Sequence, residues 1–179
     1  RIGSSMTAIN GSLFVFGGSN GGVTGNGTLN SRELFQLDSL MMTWSLQHTV
    51  GITPPARAQH AAAAAGTRLM IYGGSGAAGA LDDFWSIDVT GEQPQWIQVA
   101  RTASQIWPGA RVNSRATFAS DAFFLFGGLG IQVLSDLLCF NLSSSAWFNV
   151  TAYTGTPPTA RASHGMVAIG PVLYIFGGE

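Results

Sequence analysis

Four arginines recur in one local setting. Arg1, Arg57, Arg111 and Arg161 each stand sixteen residues before a glycine pair: Gly17-Gly18, Gly73-Gly74, Gly127-Gly128 and Gly177-Gly178. The planar fork of a guanidinium suits bidentate contact with a carboxylate or phosphate, so four of them gathered at one mouth would hold an anion. Identical placement in every unit has a second meaning, and it carries more weight. Such arginines bond backbone carbonyls or carboxylates of adjacent units. His60 and His164 share one offset, three residues after an arginine, and Ser4 and Ser114 take that place in the other copies. They read as hydrogen-bonders at the start of a strand rather than as metal ligands or general bases.

No catalytic constellation assembles around these residues. Cys139 is the single cysteine, so neither an internal disulfide nor a cysteine zinc cage is possible, and "DLLCFNL" reads as apolar packing. There is no nucleophile elbow, and the glycine-rich segments lack the lysine and strand-to-helix context of a phosphate loop. Glu92, Asp82, Asp83 and Asp121 read as scattered loop acids. Asp82 and Asp83, as neighbours in an extended segment, point to opposite faces. The sequence therefore predicts no enzyme, no cofactor and no metal.

The elements that position the arginines are repeats. "RIGSSMTAINGSLFVFGG", "RAQHAAAAAGTRLMIYGG", "RVNSRATFASDAFFLFGG" and "RASHGMVAIGPVLYIFGG" align without a gap. After each of the first three come "ELFQLD", "DFWSID" or "DLLCFN", then Trp44, Trp96 or Trp147, then Pro54, Pro108 or Pro158 three residues before the next arginine. The spacing predicts units 1–56, 57–110 and 111–160 and a half unit 161–179. Each full unit reads as four short strands. The first two are joined at one fixed offset by "NG", "GT", "SD" or "GP". The second strand is apolar throughout ("LFVF", "LMIY", "FFLF", "LYIF"), which requires burial on both faces. The fourth strand carries the Trp, whose ring is expected to cover the neighbouring unit. The alanines at 61–65 share offsets with "SMTAI" and "RATFA", so they form a strand where helix propensity alone would favour a helix. Small side chains suit the innermost strand because the units converge there.

In these landmarks the chain resembles the Kelch repeat. The resemblance spans the whole chain and implies an all-β fold, a β-propeller of four-stranded antiparallel blades around a central channel. Two departures stand out: serine replaces histidine in two copies, and the third strand has no tyrosine. Family rings usually close with six or seven blades, so three and a half blades imply an incomplete, open arc and a piece of a larger protein. The half unit ending at Glu179 is then expected to leave an unpaired edge and an uncovered apolar face that favours association. Some propellers of this resemblance are enzymes. The copper-radical oxidases need a Cys-linked Tyr with further Tyr and His ligands, which Tyr72, Tyr153, Tyr174 and Cys139 do not match. The iron-dependent specifier run of Glu, Asp and His is missing, while a sugar-acid mutarotase site completed by further blades stays open.

Recognition is then expected at the loops. Those after Gly-Gly (19–32, 75–82, 129–135) and those leading to the next arginine vary in length and share one face in a four-stranded meander, so that face is the candidate for a protein or glycan partner. All eight cations are arginine and the net charge is −1. No basic run is available for nucleic acid or an anionic membrane, and no apolar run approaches membrane-spanning length. Sequons at Asn10, Asn26, Asn141 and Asn149 exceed the number expected from composition. They tilt the compartment toward the extracellular space or cell surface, with the cytoplasm as the alternative.

Overall fold

Where the sequence places two-residue turns, the backbone adopts left-handed conformations that reverse the chain sharply. Asn10 and Gly11 have φ of 49° and 76°, and Ser120 and Asp121 have 47° and 58°, the signs of a type I′ turn. In the other two hairpins only the leading glycine is left-handed, Gly66 at 63° and Gly170 at 59°, as in a type II′ turn. Gly170-Pro171 fits that pattern because proline is confined to negative φ. The computed structural model describes residues 1–21, 30–101 and 106–179.

Fourteen strands follow among those residues. The first unit holds β1 (Ser5–Ile9), β2 (Ser12–Phe16), β3 (Leu34–Asp38) and β4 (Thr43–Leu46). The second holds β5 (Ala61–Ala65), β6 (Arg68–Gly76), β7 (Gly79–Asp88) and β8 (Trp96–Gln98). The third holds β9 (Arg115–Ala119), β10 (Ala122–Phe126), β11 (Leu137–Asn141) and β12 (Ala146–Asn149), and the last has β13 (Gly165–Ile169) and β14 (Val172–Phe176). The first three units form antiparallel four-stranded sheets in chain order, and β13-β14 is a two-stranded sheet. The fold is all-β, an incomplete propeller whose blades stack face to face.

Burial follows the stacking. Leu69 to Tyr72 on β6 are buried on both faces, as are most residues of β10, whereas β14 at the end of the arc alternates between exposed and half-buried. Ala61, Ala63 and Ala65 pack into the core shared with the third blade, beside Tyr72, Phe84 and Phe123, while Ala62 and Ala64 face the core shared with the first, beside Phe14 and Phe16. A side chain longer than a methyl has little room between β5 and its two neighbours. The alanine run is thus a strand with a hydrophobic core on each of its faces.

The tryptophans show the direction of stacking. The Trp96 ring lies 5.0 Å from Phe16 of the preceding blade, and Trp147 lies 5.2 Å from Phe84 of its own preceding blade. Trp44 has no preceding blade in this sequence and is half exposed. Residues 75–82, expected as a loop, instead extend β6 and β7 into a longer hairpin with Gly76 opposite Gly79. The register shifts between Tyr72 and Gly74, where Gly73 and Gly74 have φ of 63° and 98°. A left-handed glycine pair re-aims the chain without ending the pairing. The connections between blades also depart from expectation, since they pack along the outer strand of the following blade. Val50 bridges to Gln95 and Ile106 to Trp147.

Candidate functional site

Three of the four repeated arginines, Arg1, Arg57 and Arg111, clamp the loop above their own blade. Arg57 Nη1 donates to Gly73 O at 2.9 Å, and its Nη1 and Nη2 meet Asp83 Oδ1 and Oδ2 at 2.6 Å each. Arg111 repeats the arrangement with Gly127 O at 3.1 Å and both oxygens of Asp136 at 2.8 Å. Arg1 bonds Gly17 O and pairs with Glu33. The carboxylate comes from the arginine's own blade, not from an adjacent one as expected. What joins adjacent blades is the arginine's backbone carbonyl, which accepts the N–H of the second glycine of the preceding blade: Gly18 to Arg57, Gly74 to Arg111 and Gly128 to Arg161, at 2.8–2.9 Å. A Cβ on Gly127 would lie 2.5 Å from Arg161 O, so glycine is required there on steric as well as conformational grounds.

The paired acids correct the reading of Asp83 as a scattered loop acid. Glu33 and Asp136 stand immediately before β3 and β11, Asp83 takes the equivalent place within the extended β7, and the signal was available as the first letter of "ELFQLD", "DFWSID" and "DLLCFN". Burial pushes the Asp83 carboxyl up, but the Arg57 hydrogen bonds and charge and the Trp85 indole N–H outweigh it, leaving it below the ordinary carboxylate value. Asp82 points away and meets Arg101 at 3.0 Å on the surface.

A second ring of contacts lines the channel mouth. Two residues after each arginine sit Gly3, Gln59, Asn113 and Ser163, all left-handed with φ between 55° and 69°. Gln59 N donates to Gly3 O at 2.6 Å, Asn113 N to Gln59 O at 2.8 Å and Ser163 N to Asn113 O at 3.0 Å. Left-handed backbone costs on the order of 1 kcal/mol for a non-glycine residue, and the blade-to-blade hydrogen bonds hold it in place. The position carries little signal in the sequence, since only Gly3 and Asn113 of the four are residue types that favour the conformation.

The histidines lie beneath this mouth. His60 is 3% exposed, its Nε2 is 2.8 Å from Ser5 Oγ of the preceding blade, and its ring meets Phe16 edge-on at 5.4 Å. His164 is 1% exposed and meets Phe126 edge-on at 5.3 Å. Burial, with Arg57 and Arg115 nearby, holds the His60 imidazole down at about 3; burial with Arg115 and Arg161 holds His164 at about 4. Both are neutral core residues at physiological pH. Tyr72 donates its hydroxyl to Pro108 O, and burial pushes its pKa up, as burial does for the Cys139 thiol. No group of three or more His, Cys, Asp or Glu is placed to hold a metal among the described residues.

What remains accessible on the arginine face is a set of loop features. Loop 129–135 carries Leu129, Ile131 and Val133, with Ile131 fully exposed at its tip and a cleft of about 520 Å³ beside it lined by Arg111, Gln132 and Leu134. On the second blade Arg101 lies 6.0 Å from the centre of the Trp107 ring, whose Nε1 donates to Asp82 O at 2.7 Å. Asn30 Nδ2 donates to Ser75 O at 2.7 Å, tying the first and second blades together beneath the hairpin. Of the sequons, Asn10 is exposed in its turn and Asn149 is exposed at the end of β12. Asn141 Oδ1 accepts Ser144 N at 2.9 Å, the turn-capping role that Asp38 and Asp88 play in the other blades. Asn26 lies outside the described residues.

Comparison with known proteins agrees with this geometry. The family model described as the KLHDC2/KLHL20/DRC7 Kelch-repeats domain matches residues 1–178. The leucine-zipper-like transcriptional regulator 1 homolog of Drosophila melanogaster is similar at 30% identity over 187 residues, covering 100% of this chain and 19% of that protein. Acyl-CoA-binding domain-containing protein 4 of Arabidopsis thaliana is 30% identical over 183 residues, 99% of this chain and 26% of that protein. Human host cell factor 1 is 28% identical over 212 residues, 100% of this chain and 10% of that protein. The chain spans about a quarter or less of the length of these relatives.

Proposed function

The chain belongs to the Kelch-repeat family, and on that premise we propose that it is a non-catalytic recognition module whose arginine-face loops bind a protein partner. The observation that carries this reading is the loop 129–135. An isoleucine with its whole side chain in water, flanked by two further exposed aliphatics, stands on a loop held rigid from below by the Arg111–Asp136 clamp. Aliphatic side chains on a fixed support suit the desolvated centre of a protein interface, with Arg101 and Trp107 as further anchors. A glycan would favour polar and aromatic groups over aliphatics at the tip. The potentially reactive side chains fit the same reading: both repeat histidines are buried, the Tyr72 hydroxyl bonds a carbonyl and the Cys139 thiol is pushed up.

Photo-crosslinking tests it. A photoreactive residue at Ile131 is expected to capture a discrete polypeptide from the protein's own source, and one at Thr67 on the hairpin face is expected to capture none. Equal capture at both positions, or binding confined to a glycan array, would sink the protein-recognition reading.

We also propose that the exposed sequons at Asn10 and Asn149 carry glycans and that this segment lies outside the cell. Protein expressed through a secretory pathway should lose mass on deglycosylation; an unchanged mass rules the idea out.

A further inference from the structure

The first blade departs from its neighbours at both turns of its hairpin face. Its β3–β4 turn carries Leu40, Met41 and Met42, which are 92%, 78% and 71% exposed. The same turn holds Thr90-Gly91-Glu92-Gln93 in the second blade and Ser143-Ser144-Ser145 in the third, all exposed and none of them a large apolar residue. The third blade's turn is exposed with the second blade stacked against its sheet. Exposure therefore belongs to the turn itself, wherever a blade stands in the arc.

The turn holds its side chains outward. Asp38 Oδ1 accepts Leu40 N at 2.9 Å and Met41 N at 3.0 Å, and Thr43 Oγ1 donates to Met41 O at 3.2 Å. Met42 has φ of 53°, like Ser145 at 50°, a left-handed conformation that asparagine or glycine adopts more readily than methionine. Three adjacent large apolar side chains on a fixed tip form a contiguous patch, the mark of a surface that something covers.

The other turn of the blade supplies the cover. Asn10-Gly11-Ser12 is a sequon, whereas the matching turns read Gly66-Thr67-Arg68, Ser120-Asp121-Ala122 and Gly170-Pro171-Val172. The two turns of the first blade adjoin: Ser12 lies opposite Asp38 across β2 and β3, and Ser39 Oγ donates to Gly11 O. Sequon and apolar tip thus stand side by side in one blade, and the corresponding turns of the second and third blades have neither. We infer that the glycan on Asn10 lies over Leu40, Met41 and Met42, an inference that rests on the glycosylation of Asn10 proposed above. The C–H faces and acetyl methyls of its first N-acetylglucosamine units meet the aliphatic and thioether chains, to which flexible methionines adapt, while the sugar hydroxyls stay in water. A second copy fits less well, because tip-to-tip contact of three side chains falls short of the roughly 800 Å² per partner of a stable interface. The arginine-face loops stay open, since the glycan sits on the opposite face.

The whole chain, expressed through a secretory pathway, is compared in three forms: as secreted, after enzymatic removal of N-glycans, and as Ser12→Ala, which abolishes the sequon and keeps Asn10 and Gly11 in their turn. Peptide mass mapping first reads occupancy at Asn10, and an unmodified Asn10 overturns the glycosylation reading itself. With Asn10 occupied, hydrogen peroxide is expected to convert Met41 and Met42 to sulfoxides about threefold or more slowly in the secreted form than in the other two. Met6, 63% exposed on β1 of the same blade, should react alike in all three. Equal oxidation of Met41 and Met42 in the three forms, with Asn10 glycosylated, overturns the inference and leaves the glycosylation reading standing. Protection that persists in Ser12→Ala and grows with protein concentration assigns the tip to a second copy and overturns the inference as well.

Discussion

Replacing Asp83 with Ala is expected to destabilise the chain by about 3–5 kcal/mol, the cost of stranding a buried charge. Arg57 is 0% exposed, and its guanidinium is held between the Gly73 carbonyl and the Asp83 carboxylate, which also accepts the Trp85 indole N–H at 2.7 Å. Removing the acid leaves the cation with carbonyls alone and frees an indole donor. The equivalent Glu33→Ala substitution is expected to cost no more than about 1 kcal/mol, because Arg1 and Glu33 both remain substantially in water. Chemical denaturation of the two variants gives the comparison, and a domain of typical stability has only about 5–15 kcal/mol in hand. Equal losses at the two positions would show that burial does not set the value of the clamp. Adding Arg57→Met to Asp83→Ala should recover part of the loss, since the stranded charge goes with it.

Acid should weaken the fold well before carboxylates titrate. His60 and His164 are neutral when folded, with values of about 3 and about 4, against 6.5 for a free imidazole. Below pH 6.5 the unfolded chain therefore binds protons that the folded chain refuses. Stability is fully present above pH 6.5 and falls with decreasing pH, by about 1.4 kcal/mol per pH unit for each histidine, until the folded values are reached. At pH 5 the two together remove about 4 kcal/mol. Asp83 adds to the loss only at lower pH, because its folded value lies below that of a free carboxylate. Urea unfolding across pH 4 to 8 measures the slope. His60→Ser, the residue found at the same offset in two other blades, should lower stability at pH 8 through the lost contact with Phe16, yet cut the slope between pH 4 and 6.5 to about half. An unchanged slope would show that His60 is not the neutral core residue described above.

Most of the fold was legible because each landmark has a local cause. Asn10-Gly11 favours a reversing turn, an all-apolar run such as "LMIY" requires burial on both faces, and four ungapped copies show that one unit is being stacked. The alanines at 61–65 became readable as a strand only through that alignment, since their own propensity points to a helix. The acids were also within reach. Asp83 was passed over because its neighbours Asp82 and Ala80 make it look like part of a loop, and only its offset from Phe84 marks it as the arginine's partner.

The repeat, the strands and the glycine positions are written in local chemistry, because these depend on turn residues, residue size and alternation within a few residues. Tertiary structure alone decided which interactions each repeated residue makes. Arg57 and Arg1 have the same sequence setting, but one is enclosed by blades on both sides and the other lies at the end of the arc. Trp96 and Trp44 differ for the same reason. The ring of hydrogen bonds from Gly3 to Ser163 likewise joins residues fifty or more positions apart. Stacking creates these contacts, and the value of each depends on the water that the neighbouring blade removes.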